Sequence, residues 1–407
     1  MNRNIDQISP AMKIAVCQLG ARHRYAIPRM LEEAGCLAAF YCDVNADHPL
    51  IRLFRSFFPG IDGRRCEGVP SGKIHSTMLP NLMLEWRKRF RPMLDSEDFI
   101  VQGELFSRWI DRHWTDEADV LFTFSRINTD LARKLKGRGV RNVVDVIISP
   151  ITERILSREY CENSAWGPAE NPFPPERVAR EENLWRESIA VADLLLCPSQ
   201  WVADGVLALA PEAVSKIRLV PYGCSIAYGV RRNVPTQGKI IFCGNDPLRK
   251  GLPYLARAAT ILKKRNPSIR IQVAGDWPLV FREDSRCADL EFLGKLSGAE
   301  MIQAYLSADV FLLPSLSEGF AGVVAEAICA GLPCVVTRES GSGVVDGRDG
   351  LVIPSRSASA IADAVETIVE DRQLRGRMAE ACLAQRNFYS ASAWRTRLMQ
   401  ALETLGK

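Results

Sequence analysis

Long apolar runs are missing from this chain. Of its 407 residues 47% are hydrophobic, yet no run reaches the ~18 apolar residues that a bilayer-spanning helix needs, which excludes an integral membrane protein. Histidine is scarce: His23, His48, His75 and His113 are the only four, all in the first half. The 12 cysteines are scattered, with no C-x-x-C pair and no Cys/His cluster at zinc spacing, and Cys17, Cys243 and Cys334 lie inside apolar runs. That pattern points away from a metal site and toward buried thiols in a reducing cytoplasm. Excess charge is also lacking: 52 Lys and Arg against 48 Asp and Glu leave +4, small for this length and unlike a nucleic-acid binder. After Lys13 comes a short apolar piece without a long apolar core or a small-residue cleavage site, so no signal peptide is expected.

What is present is alternation. The length suits two domains of about 200 residues each. In the first half KIAVC, LAAFY, DVLFT, NVVDVII and DLLLC are apolar on both faces; in the second half IRLV, KIIFC, IRIQVA, LEFL, DVFLL, PCVVT and LVI follow, separated by helical stretches such as YLARAATILKKR. Buried parallel strands alternating with helices predict an α/β chain with a doubly wound sheet in each half. Residues 45 to 115 break the rhythm, with Trp, Phe and Arg at helical spacing and no clear strand, as an inserted helical segment would. Ligands of doubly wound sheets bind where strands end and helices begin. There the unusual residues collect: QLGARHRY after KIAVC, GNDPLRKG after KIIFC, and PSLSEGFAG after DVFLL.

Two acids, Glu318 and Glu326, sit in the small and apolar stretch SLSEGFAGVVAEAICAGLPCVV. A glutamate buried there is costly unless something binds it. A helix starting near Ala321 or Gly322 puts Glu318 on the loop before it and Glu326 about one turn inside. The free N–H groups of that helix end suit a phosphate, and Gly319 and Gly322 allow close approach. Carboxylates nearby accept hydrogen bonds from hydroxyls, so the pattern fits a sugar nucleotide, with Arg249 and Lys250 as cations for the diphosphate leaving group. Each feature alone also suits a plainer role: Arg249 and Lys250 as a solvated helix start, Glu318 as a partner of the helix cap.

Taken together, SEGFAGVVAEAICAGLPCVV, with VPYGCS, RKG, VAGD, FLG, ADVFLLPS and VVDGRDGLVIP around it, resembles the retaining glycosyltransferases of family 4, in which two glutamates enclose seven residues. In the first half the likeness rests on QLGARHRYAIPRML and CPSQWVADGV. The resemblance implies two facing Rossmann-like domains, the GT-B arrangement: an acceptor-side domain over 1–198 with the insertion at about 45–115, a donor domain over 199–385, and a C-terminal helix over 386–407 that crosses back. It implies that Glu318 holds the donor sugar's hydroxyls, with the backbone of Gly319, Phe320 and Ala321 facing sugar and phosphate. Glu326 holds the ribose, Lys250 with Arg249 binds the diphosphate, and the Gly20 loop approaches the phosphates from the other domain. The reaction implied is transfer, with retention, from a nucleotide sugar to a hydroxyl of a glycan or lipid-linked acceptor, with neither metal nor other cofactor.

The chain departs from that family at three places. Asn245, expected among the donor-binding residues, stands where an arginine is usual, Ala321 replaces a common glycine, and Ser149 and Pro150 follow the strand after which a histidine is often found. The acceptor-side residue is therefore unassigned; His23 is the histidine best placed to touch substrate, a surface position being the other reading, and His113 reads as structural. ESGSGVVDG imitates a dinucleotide fingerprint without a long helix after it. Rival readings keep the fold and change the reaction: a sugar-nucleotide epimerase, a phosphorylase, or a non-catalytic sugar-nucleotide binder. Finally, PNLMLEWRKRFRPML can place Leu82, Met83, Trp86 and Phe90 on one helical face beside Arg87, Lys88, Arg89 and Arg91. That suits either a core-packed helix or a peripheral contact with an anionic membrane from the cytoplasmic side.

Overall fold

The structure, a computed structural model, describes residues 12–47, 51, 61–77, 95–226, 228–229 and 231–406. Among the described residues thirteen strands form two sheets, parallel throughout. The first contains β1 (Ile14–Gln18), β2 (Leu37–Cys42), β3 (Ile74–Ser76), β4 (Val120–Phe124), β5 (Arg141–Asp145), β6 (Leu194–Cys197) and β7 (Ile217–Leu219), in the order β3-β2-β1-β4-β5-β6-β7. The second contains β8 (Lys239–Cys243), β9 (Arg270–Ala274), β10 (Leu290–Gly294), β11 (Val310–Leu313), β12 (Cys334–Thr337) and β13 (Gly350–Ile353), in the order β10-β9-β8-β11-β12-β13. Central strands such as β1, β4 and β11 are buried at every residue. Helices cover both faces, and that is why these strands read as unbroken apolar runs.

Sheet order fixes where a ligand can bind. Strand order reverses between β1 and β4 in one sheet and between β8 and β11 in the other. Crevices open at such switch points, beyond the carboxyl ends of the strands. The loops after β1, β8 and β11 lie there, and they are the three that carry the unusual residues.

Two sequence expectations change. IRLV, grouped above with the second half, supplies β7, whose residues pair Leu195↔Ile217, Leu196↔Arg218 and Cys197↔Leu219 in the first sheet. The sheets therefore change after Leu219, not at 198. A short apolar edge strand carries no signal of which sheet it joins. Within 45–115, expected to lack a strand, Ile74–Ser76 pairs with β2 as a half-buried edge, too short to show a period, while Asp95–Arg112 is helical as expected. Residues 80–94, the proposed membrane stretch, lie outside the described residues, as does His48.

The last helix, Ala391–Glu403, starts at Ser390, whose hydroxyl accepts from the Ala393 amide. Its Trp394, Leu398, Met399 and Leu402 enter the core that holds Ile14, Val16, Phe122 and Leu194 of the first domain. Arg395 pairs with Glu33 at 2.7 Å. The helix thus crosses back, as the GT-B resemblance implies. A second bridge runs the other way: in helix Thr152–Asn163, which follows β5, Leu156 and Tyr160 belong to the second domain's core, and buried Glu159 pairs with Arg356 at 2.9 Å.

Asp145, at the end of β5, is buried, and the Tyr222 hydroxyl donates to it at 2.7 Å. Burial pushes its carboxyl up to about 7, against the pull of Tyr222 and Arg22. An unfolded aspartate ionises near 3.8, so from there up to about 7 the folded chain holds a proton that the unfolded chain has lost. Stability therefore falls as pH rises through that window, by about 4 kcal/mol at most. Asp145→Asn keeps the acceptor for Tyr222 and removes the titration. Thermal melts should show the variant more stable than wild type above about pH 7 and the difference closing below about pH 4. Parallel pH profiles for the two proteins would show that Asp145 carries no such burden.

Candidate active site in the interdomain cleft

The loops after β8 and β11 are built against each other. Gly251 has φ +74°, and a Cβ there would lie 2.3 Å from the Pro314 carbonyl oxygen. Only glycine permits that approach. The Leu316 amide donates to the Arg249 carbonyl at 2.8 Å, tying the loops at a second point.

Glu318 is the consequence of this packing. Its Oε1 is 2.6 Å from Lys250 Nζ and accepts from Ser315 Oγ at 3.2 Å; its Oε2 is 2.6 Å from Arg249 Nη1. Arg249 also reaches Asp246 at 3.0 Å. The Arg249 and Lys250 side chains are only 22% and 10% exposed, so the solvated helix start considered above is not what forms. Burial opposes the Arg249 charge, but Glu318 and Asp246 outweigh it and hold the guanidinium above its ordinary value. Asn245 is exposed on the same loop, and Arg249, not Asn245, supplies the second cation at Glu318.

The helix Gly322–Ala330 opens just after this loop, with Ala321 at its cap and no side-chain cap bond. Ala321 is buried and its amide donates to the Ser340 carbonyl at 3.2 Å. Beyond Gly322, space is open: an added Cβ would meet nothing within 4 Å. A helix end without a side-chain cap makes a seat for an anion. Further along the helix, Glu326 Oε1 accepts from Ser225 Oγ at 2.5 Å and Oε2 from Tyr305 OH at 3.0 Å. Burial raises the Glu326 carboxyl, the two hydrogen bonds lower it, and burial prevails.

Gly319 and Phe320 face the first domain. The Gly319 carbonyl accepts from Ser199 Oγ at 2.6 Å, and Phe320 packs against Tyr222 and Tyr389 with centroids 5.6 and 6.3 Å away. Gly20 has φ +73°, and Gln18 Nε2 secures its loop by donating to the Gly20 and Arg22 carbonyls at 2.9 and 3.1 Å. Next come three consecutive left-handed residues, His23, Arg24 and Tyr25 at φ 50°, 50° and 57°. Such runs are costly and persist only where the surroundings hold them. His23 lies edge-on to Tyr222 and Trp394 at 4.5 and 5.2 Å, so the surface reading does not hold. Burial, then Arg22, lowers it to about 4, leaving it neutral near pH 7. With Gly223, Ser225 and Trp394 it lines a cavity of about 740 Å³ that reaches the Glu326 partner Ser225. His113 stacks on Trp109 and its Nδ1 is 2.8 Å from the Trp109 carbonyl, a structural place.

Sequence reasoning missed Ser225, Tyr305 and Ser315. Ser225 was within the quoted VPYGCS, yet nothing local said that it would meet Glu326, 101 positions away. Tyr305 lies on the helix Gly298–Ser307 and is fully buried, a place that gives no local sign of a partner at Glu326. The segment Gly341–Gly343 opens no long helix, only the short turn Arg338–Ser340 before it, so no dinucleotide fingerprint forms.

Lys250→Ala should weaken nucleoside diphosphate binding at least about tenfold while nucleoside binding changes little, because only the diphosphate needs the cation. Arg249→Ala should add to that loss. Calorimetry that finds equal diphosphate affinity in wild type and both variants would remove these residues from the anion site.

Residues 237–371 match the family model "Glycosyl transferases group 1". Among curated relatives, the D-inositol 3-phosphate glycosyltransferase of Paenarthrobacter aurescens is 35% identical over 255 residues, 56% of this chain and 62% of the relative. Glycogen synthase of Mycobacterium tuberculosis is 26% identical over 258 residues, 61% and 60% of the two chains. The first of these relatives are thus matched over only part of their length, from 37 to 62%. Among solved structures, HepE of Anabaena in complex with UDP and glucose superposes with a TM-score of 0.63 at 13% identity, over 97% of this chain and 100% of that one. Sucrose-phosphate synthase of Thermosynechococcus elongatus gives 0.62 at 16% identity, over 97% and 99%. The second domain thus matches glycosyl transferases group 1 over residues 237–371, and the chain as a whole has the two-domain GT-B fold.

Proposed function

We propose that this protein is a retaining glycosyltransferase that moves a sugar from a nucleoside diphosphate sugar to a hydroxyl of a glycan or glycolipid. The observation that carries the reading is Glu318 held between Arg249 and Lys250, each at 2.6 Å, beside an uncapped helix end. As the glycosidic bond breaks, the leaving diphosphate gains negative charge. The two cations and the helix N–H groups are already in place to receive it. Glu318, released from part of its ion pairing by the incoming diphosphate, accepts from the sugar hydroxyls, and Glu326 accepts from the ribose. Retention is the stereochemistry that the family resemblance implies.

Support comes also from the structural neighbour HepE, whose crystal structure is a complex with UDP and glucose. UDP-sugars are therefore the first donors to try. A screen of UDP-, GDP- and ADP-sugars by thermal shift, followed by assay of the best donor with and without hydroxyl acceptors, tests the reading. A raised melting temperature with sugar transfer, the product keeping the donor's anomeric configuration, is the expected result. No stabilising donor, or an epimerised donor in the absence of acceptor, would overturn it. A lipid-linked acceptor would bring residues 80–94 to an anionic bilayer, each basic residue contributing about 1 kcal/mol. Equal, negligible sedimentation with neutral and anionic vesicles would remove that part. Among the described residues no helix is long and apolar enough to cross a membrane.

A further inference from the structure

The residues on either side of Glu318 are held by the other domain. Before it, Ser317 Oγ lies 2.8 Å from Thr152 Oγ1 and 3.3 Å from Trp201 Nε1. After it, the Gly319 carbonyl is 2.6 Å from Ser199 Oγ. Thr152, Ser199 and Trp201 all precede the change of sheet after Leu219, whereas Glu318 follows β11 of the second sheet.

Counting protons gives this network one direction. Thr152 has a single hydroxyl proton and donates it to the Ser149 carbonyl at 2.6 Å. Ser317 is therefore the donor to Thr152. An indole N–H can only donate, so Ser317 accepts from Trp201. Ser199 gives its proton to the Gly319 carbonyl and accepts from the Val202 amide at 3.3 Å. Thr152, Ser199 and Ser317 are all buried, and a bond lost there is not replaced by bulk water.

We propose that Thr152, Ser199 and Trp201 are positioning residues that set Glu318 against the donor sugar when the two domains are closed, a role that rests on the reading of Glu318 as the donor-sugar ligand. They are not what joins the domains. Glu159 with Arg356, Leu156 and Tyr160 in the second core, and Asp204 with Arg338 do that independently. Losing one bond to Ser317 leaves the domains together and loosens the loop. Nucleotide-side groups, Glu326 and the end of helix Gly322–Ala330, have their own supports in Ser225 and Tyr305.

Thr152→Val removes the hydroxyl at nearly constant shape, Thr152→Ser restores it, and Trp201→Phe removes the indole donor. In Thr152→Val and Trp201→Phe, kcat should fall about tenfold, as a small displacement of a catalytic group does, with nucleoside diphosphate Kd changing by no more than about twofold. Thr152→Ser should behave as wild type. Hydrogen exchange gives a readout independent of turnover: the amides of Glu318 and Ala321, bonded to the Glu339 and Ser340 carbonyls at 2.9 and 3.2 Å, should exchange faster in the first two variants only. The role is overturned by unchanged kcat and exchange, by nucleotide affinity falling in step with kcat, or by Thr152→Ser being as impaired as Thr152→Val. If the protein transfers no sugar at all, the proposed function fails, while exchange still decides whether these residues order the loop.

Discussion

Glu318→Gln should lower kcat by about 100-fold or more and at the same time tighten nucleoside diphosphate binding. The two effects have one origin. Glu318 neutralises Arg249 and Lys250, each at 2.6 Å, and Asp246 takes a further share of Arg249 at 3.0 Å. The four groups sum to zero charge; without the Glu318 carboxylate they sum to plus one. A diphosphate then meets cations with Asp246 as the one remaining competitor, and several-fold tighter binding follows at the effective dielectric of a largely buried site. Turnover suffers because the amide is a weaker acceptor for hydroxyls whose bonds strengthen as charge develops on the sugar. Glu326→Ala should instead raise the donor KM with kcat little changed, since ribose contacts are nearly the same in ground and transition states. Near-normal turnover of Glu318→Gln, with thermal stability intact, would take Glu318 out of the chemistry.

The donor half of this site was legible because its signals are local. Glu318 and Glu326 lie within one loop and one helix, and Arg249 with Lys250 follows the end of β8, so strand period and glycine placement sufficed to bring them together. The resemblance then named their roles. What could not be read was anything that depends on the meeting of distant segments. Ser225 reaching Glu326, Ser199 reaching Gly319 and Thr152 reaching Ser317 join positions 101, 120 and 165 apart. Serine and threonine carry no sequence period that predicts such partners. The same limit explains β7: Ile217–Leu219 is an edge strand of three residues, and its sheet is decided by the neighbour it finds in Leu194–Cys197. Lys250 shows the converse. As a dipeptide with Arg249 it looked solvated, and it is buried because its stem lies over Gly244, where a Cβ would come within 3.0 Å of it.

Gly319→Ala should abolish transfer, by about 100-fold or more, while each domain stays folded. A Cβ at 319 would lie 1.8 Å from the Ile147 carbonyl oxygen, 2.6 Å from its carbon and 3.2 Å from Ile148 Cα. All three are backbone atoms of the first domain, at the exit of β5, and no rotamer can relieve the contact. Relief comes only by moving the Glu318 loop away from Ile147 or by parting the domains, and both break the Ser199 bond to the Gly319 carbonyl. The cores themselves are untouched: the first domain's is built on Ile14, Phe40 and Phe122, the second's on Ile241, Phe311 and Val335. Thermal stability should therefore drop far less than activity. Gly322→Ala provides the contrast, because its Cβ points into open space with nothing within 4 Å. It should leave the domain arrangement unchanged and weaken only diphosphate binding at the helix end. Small-angle scattering of the two variants beside wild type, together with transfer rates, checks the pair. Unchanged scattering and wild-type turnover in Gly319→Ala would show that the closed contact between Gly319 and Ile147 is not the working arrangement of the two domains.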